Sequence, residues 1–225
     1  MKKLLAAIIA AALLLSGCSL SSRPAVSAPP AETPSPSPTP IVTPTPAPEP
    51  SDDELVLVRD YIPGIFIDLK YATTDNFTGR VIYDSDEAYL RYGTVKKLLA
   101  AQNELSGRGL SLKIWDAYRP VSAQFKLWEI CPNPVYVSDP NNGYSKHSRA
   151  NTVDITLVTS TGESIPMPSG FDDFTSLADR DYSDVSAEAA ENARLLESIM
   201  VENGFVPYSG EWWHYSDSVS YDVYG

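Results

Sequence analysis

The sequence predicts an α+β domain over residues 51–225, one central antiparallel sheet flanked by helices. Three stretches alternate apolar and polar side chains as half-buried strands do, and two others repeat apolar residues at helical spacing. The two kinds of stretch do not alternate regularly enough for a doubly wound parallel sheet.

Residues 1–17 read as an export signal: Lys2 and Lys3 precede an apolar run from Leu4 to Leu15. At about a dozen residues that run is too short to span a bilayer. Leu15-Ser-Gly-Cys18 resembles the bacterial lipoprotein signal, which implies cleavage before a lipidated Cys18. The expected location is extracytoplasmic, with the membrane as a partner through the lipid. Residues 18–50 follow as a linker of Pro, Ser, Thr and Ala that holds 11 of the 19 prolines and cannot build a core.

Within the domain, Ile65–Leu69 is the first predicted strand, and helical periodicity runs from Val95 to Leu105, ended by Gly107. Leu110–Ile114 is the second strand. Val153, Ile155 and Leu157, set against Asp154 and Thr156, form the third, and Ser160-Thr-Gly-Glu163 suits a hairpin turn after it. Ala187–Val201 carries the clearest helical stripe, stopped by Gly204.

A formal net charge of -12 excludes a surface built to neutralise a phosphate backbone, so nucleic acid is not an expected partner. Two cysteines are too few for a disulfide framework or a Cys-rich zinc module. With Cys18 lipidated, Cys131 has no partner in its own chain and is expected to be a buried spectator.

Only two histidines occur, both among polar groups: His147 in Ser145-Lys-His-Ser-Arg-Ala-Asn-Thr-Val-Asp154, and His214 in Glu211-Trp-Trp-His214. Two imidazoles and one carboxylate leave positions open on a metal, as hydrolytic zinc requires. His147, Asp154 and His214 are therefore the candidate ligands for one Zn2+. Non-haem iron oxygenases use the same set, but with the first histidine and the acid two residues apart rather than seven. Glu211, three residues before His214, is placed as a general base on the attacking water. Residues three apart in a regular strand face opposite ways, so that role requires a bulge between them. Arg119, in Trp115-Asp-Ala-Tyr-Arg-Pro120, stands at a strand end where it can stabilise an oxyanion or pair with Asp116.

These motifs, together with Asp68-Leu-Lys-Tyr-Ala-Thr-Thr-Asp-Asn-Phe-Thr-Gly79, resemble the VanX-type D-alanyl-D-alanine dipeptidases, relatives of the D-Ala-D-Ala carboxypeptidases and the hedgehog fold. The resemblance implies His147, Asp154 and His214 as zinc ligands, Glu211 as acid/base and Arg119 as transition-state stabiliser. It also implies Asp172 as the holder of the substrate's free ammonium, with Tyr71 and Ser145 as further substrate contacts. The expected substrate is D-Ala-D-Ala or a similar short wall-derived dipeptide. A carboxypeptidase acting on wall stem peptides and a non-catalytic wall-binding lipoprotein remain open. The sequence departs from the family pattern at Ala150 and Thr152, where glycine and alanine are usual, and at Pro168, where glycine is usual. A left-handed backbone at Ala150 would be strained.

Overall fold

In chain order the elements are β1 (Leu55–Leu57), α1 (Val58–Tyr61), β2 (Phe66–Ile67), β3 (Tyr89–Arg91), α2 (Tyr92–Ser106), β4 (Leu110–Asp116), α3 (Val121–Ile130), β5 (Thr152–Thr159), α4 (Ala187–Glu202), β6 (Phe205–Tyr208) and β7 (Glu211–Asp217). The structure, a computed structural model, describes residues 48–225. The export signal, Cys18 and nearly all of the linker lie outside the described residues.

Five strands form the main sheet in the order β2-β4-β5-β7-β6, while β1 and β3 pair separately as an antiparallel ribbon. Every neighbour in the main sheet is antiparallel except β2, which runs parallel to β4 through Phe66↔Lys113 and Ile67↔Ile114. The sheet is therefore mixed rather than wholly antiparallel, and the strand expected over Ile65–Leu69 shrinks to two residues. A short parallel edge is what the chain can make there, because a 3₁₀ turn at Lys70–Ala72 follows at once.

β5 is the centre of the sheet and is buried along all but its last residue. Val153, Ile155 and Leu157 join the core with Leu98 and Leu105 of α2 and with Leu196 and Ile199 of α4. Asp154 alternates with them and emerges on the opposite face. α4 starts where the Ser186 side chain accepts a hydrogen bond from the Ala189 N–H at 3.1 Å, and Gly204 at φ +85° turns the chain into β6. The predicted hairpin turn is present: Thr159 N–H donates to Glu163 O at 2.9 Å, and Gly162 has φ +88°.

The helix α3 is absent from the expectations above. Its start is marked by Pro120, four residues past the end of β4, whose carbonyl accepts from the Ala123 and Gln124 N–H groups. Cys131 at its end is half-buried against the edge of the core, not fully buried.

Candidate active site

His147 lies in a 3₁₀ turn, Lys146–Arg149, just before β5. Ser145 caps the turn, its hydroxyl accepting from the His147 N–H at 3.3 Å, and Ala150 ends it at φ 59°, ψ 29°. Ala150 thus adopts the left-handed backbone that its residue type disfavours. Its N–H closes the turn on the His147 carbonyl at 3.0 Å, and the chain enters β5 two residues later.

The ring's Nδ1 lies 2.9 Å from the Ala117 carbonyl. A carbonyl only accepts, so Nδ1 carries the proton and a neutral ring presents the Nε2 lone pair. That nitrogen faces Asp154 Oδ2 at 3.3 Å and His214 Nδ1 at 3.4 Å. Asp154 and His214 are direct cross-strand partners in the β5/β7 ladder, with Asp154 Oδ1 2.9 Å from His214 Nδ1. Asp154 and His147 are each 3% exposed. Burial pushes the Asp154 carboxyl up, but His147 and His214 outweigh it and hold the group well below the usual carboxylate range.

One donor atom from each of the three residues lies within 4.8 Å of the others. Donors bonded at about 2.1 Å in a tetrahedral site stand roughly 3.4 Å apart, so the spacing fits a single metal ion. Two imidazole nitrogens turned toward each other and a carboxylate form a donor set that a cation reconciles.

Glu211 reaches the same point. Its Oε2 is 3.5 Å from His214 Nδ1, at the rim of the cluster. The bulge that this requires is present: pairing between β6 and β7 jumps from Pro207↔Tyr215 to Tyr208↔Glu211. Burial, then the nearby Asp154 charge, raises the Glu211 carboxyl above its ordinary range. Glu211 and His214 line a cavity of about 270 Å³ with Ser145, Tyr136 and Tyr208.

Arg119 is buried beside this cluster, and its backbone N–H donates to the His147 carbonyl at 3.2 Å. Asp116 grips the guanidinium through Nε at 3.1 Å and through Nη2, while Nη1 donates to Gln124 Oε1 at 3.0 Å. Three of its five N–H groups are spent on this frame, which leaves two without a partner among the described residues. The ion-pair reading of Arg119 is what the structure shows, and that pair fixes the guanidinium beside the cluster. Asp116 is fully buried, also accepts from the Tyr83 hydroxyl, and comes within 3.5 Å of His147 Nδ1.

Asp172 and Tyr71 form a second locus. The Tyr71 hydroxyl donates to Asp172 Oδ2 at 2.8 Å, and the Arg119 guanidinium stands 5.0 Å over the Tyr71 ring. Asp172 has φ 53°, a left-handed backbone in the loop that follows Pro168. Burial raises its carboxyl to about 7 against the opposing Tyr71 hydrogen bond, with the Asp154 charge adding to the rise. Asp172 borders a cavity of about 370 Å³ lined also by Phe77, Trp115 and Phe171.

Of the eight residues singled out in the sequence, His147, Asp154, His214 and Glu211 form one cluster, Asp172 and Tyr71 a second locus, and Arg119 touches both through the His147 carbonyl and the Tyr71 ring, while Ser145 holds the His147 turn as well as lining the first cavity. Asp116 was foreseen only as a partner of Arg119. Tyr83 and Gln124 were not foreseen at all, because their connection to the site is made entirely through tertiary contact.

The family model of peptidase M15, described as D-ala-D-ala dipeptidase, matches residues 51–221. The chain belongs to this family. It is thereby a metallopeptidase. The D-alanyl-D-alanine dipeptidase of Escherichia coli K12 is 40% identical over 162 residues, covering 72% of this chain and 83% of that protein. Proteins of the same name from Enterococcus faecium and Streptomyces coelicolor are 36% and 37% identical, over 69% and 72% of this chain and 87% and 91% of theirs. A solved structure, "VanYB in complex with D-Alanine-D-Alanine", overlaps 60% of this chain and 75% of that chain at 15% identity and a TM-score of 0.40, too distant to bear on function.

Proposed function

We propose that this metallopeptidase hydrolyses D-Ala-D-Ala or a closely similar free dipeptide, with His147, Asp154 and His214 holding one zinc ion. The observation that carries the reading is the convergence of those three donors with Glu211 at the rim of one cleft. Zinc in such a site acidifies water from a pKa of 15.7 to about 7 and polarises the scissile carbonyl.

The protein's own groups supply the rest. Glu211, with its carboxyl raised by burial, accepts the proton of the attacking water and later returns it to the departing amine. Arg119, held rigid by Asp116 and Gln124, directs its free N–H groups at the oxygen that becomes negative. Asp172, steadied by Tyr71, pairs with the substrate's ammonium, so an acylated amino end meets a carboxylate with nothing to neutralise it. The names of the relatives support the substrate class.

The test is a panel of D,D, L,D and L,L dipeptides, each with a free and an N-acetylated amine, with metal content measured on the same sample. Cleavage of free D-Ala-D-Ala and not of its acetylated form is the expected result. Equal cleavage of both would convert the reading to a carboxypeptidase, and no cleavage of either would overturn it.

The reading extends to location. The Lys2 to Cys18 signal supports lipid attachment at Cys18 outside the cytoplasm, and residues 18–50 would then hold the domain away from its anchor. Cys18→Ser should release the protein from the membrane fraction, and its retention there would count against lipidation.

A further inference from the structure

β7 must turn two side chains three residues apart toward one point, and it does so by breaking its ladder with β6. One step on β6, from Pro207 to Tyr208, faces four on β7, from Tyr215 to Glu211. Trp212, Trp213 and His214 therefore have no β6 partner. Carbonyls that lose their ladder at such a bulge take donors from elsewhere, and Pro207 carries no N–H to give.

Arg180 supplies them. It belongs to no helix or strand and follows the 3₁₀ turn at Ser176–Ala178. Its Nη2 donates to the His214 carbonyl at 3.1 Å, and its Nε to the Tyr208 carbonyl at 2.7 Å. These two carbonyls flank the bulge. The backbone N–H of Arg180 donates to Ser209 O at 3.2 Å, in the turn between the two strands. Nη1 donates to Glu197 Oε2 at 2.9 Å and to the Tyr215 hydroxyl at 3.1 Å, and the guanidinium carbon sits 4.5 Å over the Tyr215 ring. Every guanidinium nitrogen is thus committed to the frame. Arg180 does not line the cavity that holds Glu211 and His214, so it has no direct part in the chemistry.

We infer that Arg180 is a positioning residue: its guanidinium replaces the missing β6/β7 ladder and fixes Glu211 and His214 relative to each other. The inference rests on the reading of Glu211 as proton acceptor and His214 as metal ligand. Only a planar group with donors in several directions can span both carbonyls and Glu197, so lysine is a poor substitute.

The test compares Arg180→Lys, Arg180→Gln and Arg180→Ala in the full-length protein. Dipeptide kcat should fall about 10- to 100-fold, as expected when reacting groups are displaced by an ångström or less. KM should stay within about threefold, because Asp172 and Tyr71 do not touch Arg180. Zinc affinity by chelator competition should weaken by about tenfold, and the visible spectrum of the Co2+ form should change. Millimolar guanidinium should restore part of the kcat of Arg180→Ala. A folded Arg180→Lys with unchanged kcat and zinc affinity would overturn the inference, as would a rise in KM alone. If Arg180→Ala does not fold, the other two variants decide. Zinc affinity also separates the two ideas, because it reports on His214 even if the wild type proves inactive on the dipeptide.

Discussion

Tyr71→Phe isolates one hydrogen bond and produces two linked effects. The variant keeps the ring, with its contacts to Tyr83 and Phe171, and loses only the hydroxyl that donates to Asp172 at 2.8 Å. A hydrogen bond to a charged group contributes about 1.5–3 kcal/mol, which corresponds to a rise of roughly 10- to 100-fold in KM for a free-amine dipeptide. The second effect is on titration. Burial sets Asp172 at about 7, and the Tyr71 hydrogen bond is what pulls it down. Only the ionised carboxylate pairs with an ammonium, so wild-type KM should climb as the pH falls below about 7. Removing the donor should move that midpoint to higher pH. Steady-state KM between about pH 5.5 and 9 on D-Ala-D-Ala reads both effects, with kcat as the internal control. An unmoved KM, or a midpoint displaced toward acid, would refute the assignment of Asp172 to the amino end of the substrate.

Asp172 also affects stability. Its folded pKa is raised, so the folded protein holds the proton more tightly than the unfolded chain, and stability is lost as pH rises from 3.8 to about 7. Asp172→Asn should therefore stabilise the metal-free protein at pH 8 and not at pH 4; the side chain is only half-buried, so the gain should fall below the about 4 kcal/mol that the full rise implies. Chemical denaturation at both values checks it. Glu211→Gln should lower kcat by about 100- to 10,000-fold while leaving bound zinc intact, which activity and metal content on one sample will show. Asp116→Ala leaves the Arg119 guanidinium buried without its partner and should cost about 3–5 kcal/mol in urea unfolding. Ala150→Gly should change stability by less than about 1 kcal/mol, because relief of the left-handed strain offsets a freer unfolded chain; Ala150→Val should cost more than about 2 kcal/mol, since a branched side chain is forced into the same backbone.

The central parts of this fold were legible because their physics is local. β5 alternates cleanly, and α2 and α4 carry apolar stripes ended by glycine, so their positions follow from periodicity alone. Gly107 does cap α2, although it keeps a right-handed φ of -62° and the left-handed turn falls at Gly109. β1, β3 and β6 are three or four residues long, too short for any period to show. The parallel pairing of β2 depends on where β4 lies, which no stretch of residues 65–69 encodes. The site itself was legible for a different reason. With two histidines in the whole chain, each in a polar setting and one three residues after an acid, few arrangements remain. The partners that hold the site were hidden: Arg180 is 34 residues from His214, and Tyr83 is 33 from Asp116.

Two of the three proposed metal ligands, Asp154 and His214, hang from β5 and β7, and β5 is enclosed on both faces. Amide protons there should exchange only on global unfolding, so the proposed centre belongs to the last part of the molecule to open. The Asp172 loop belongs to no strand and is held by side-chain contacts instead, Tyr71 on Asp172 and Trp212 on Ser169. The proposed ammonium holder and the proposed metal ligands thus stand on separately supported parts of the fold, so a substitution in one can leave the other in place.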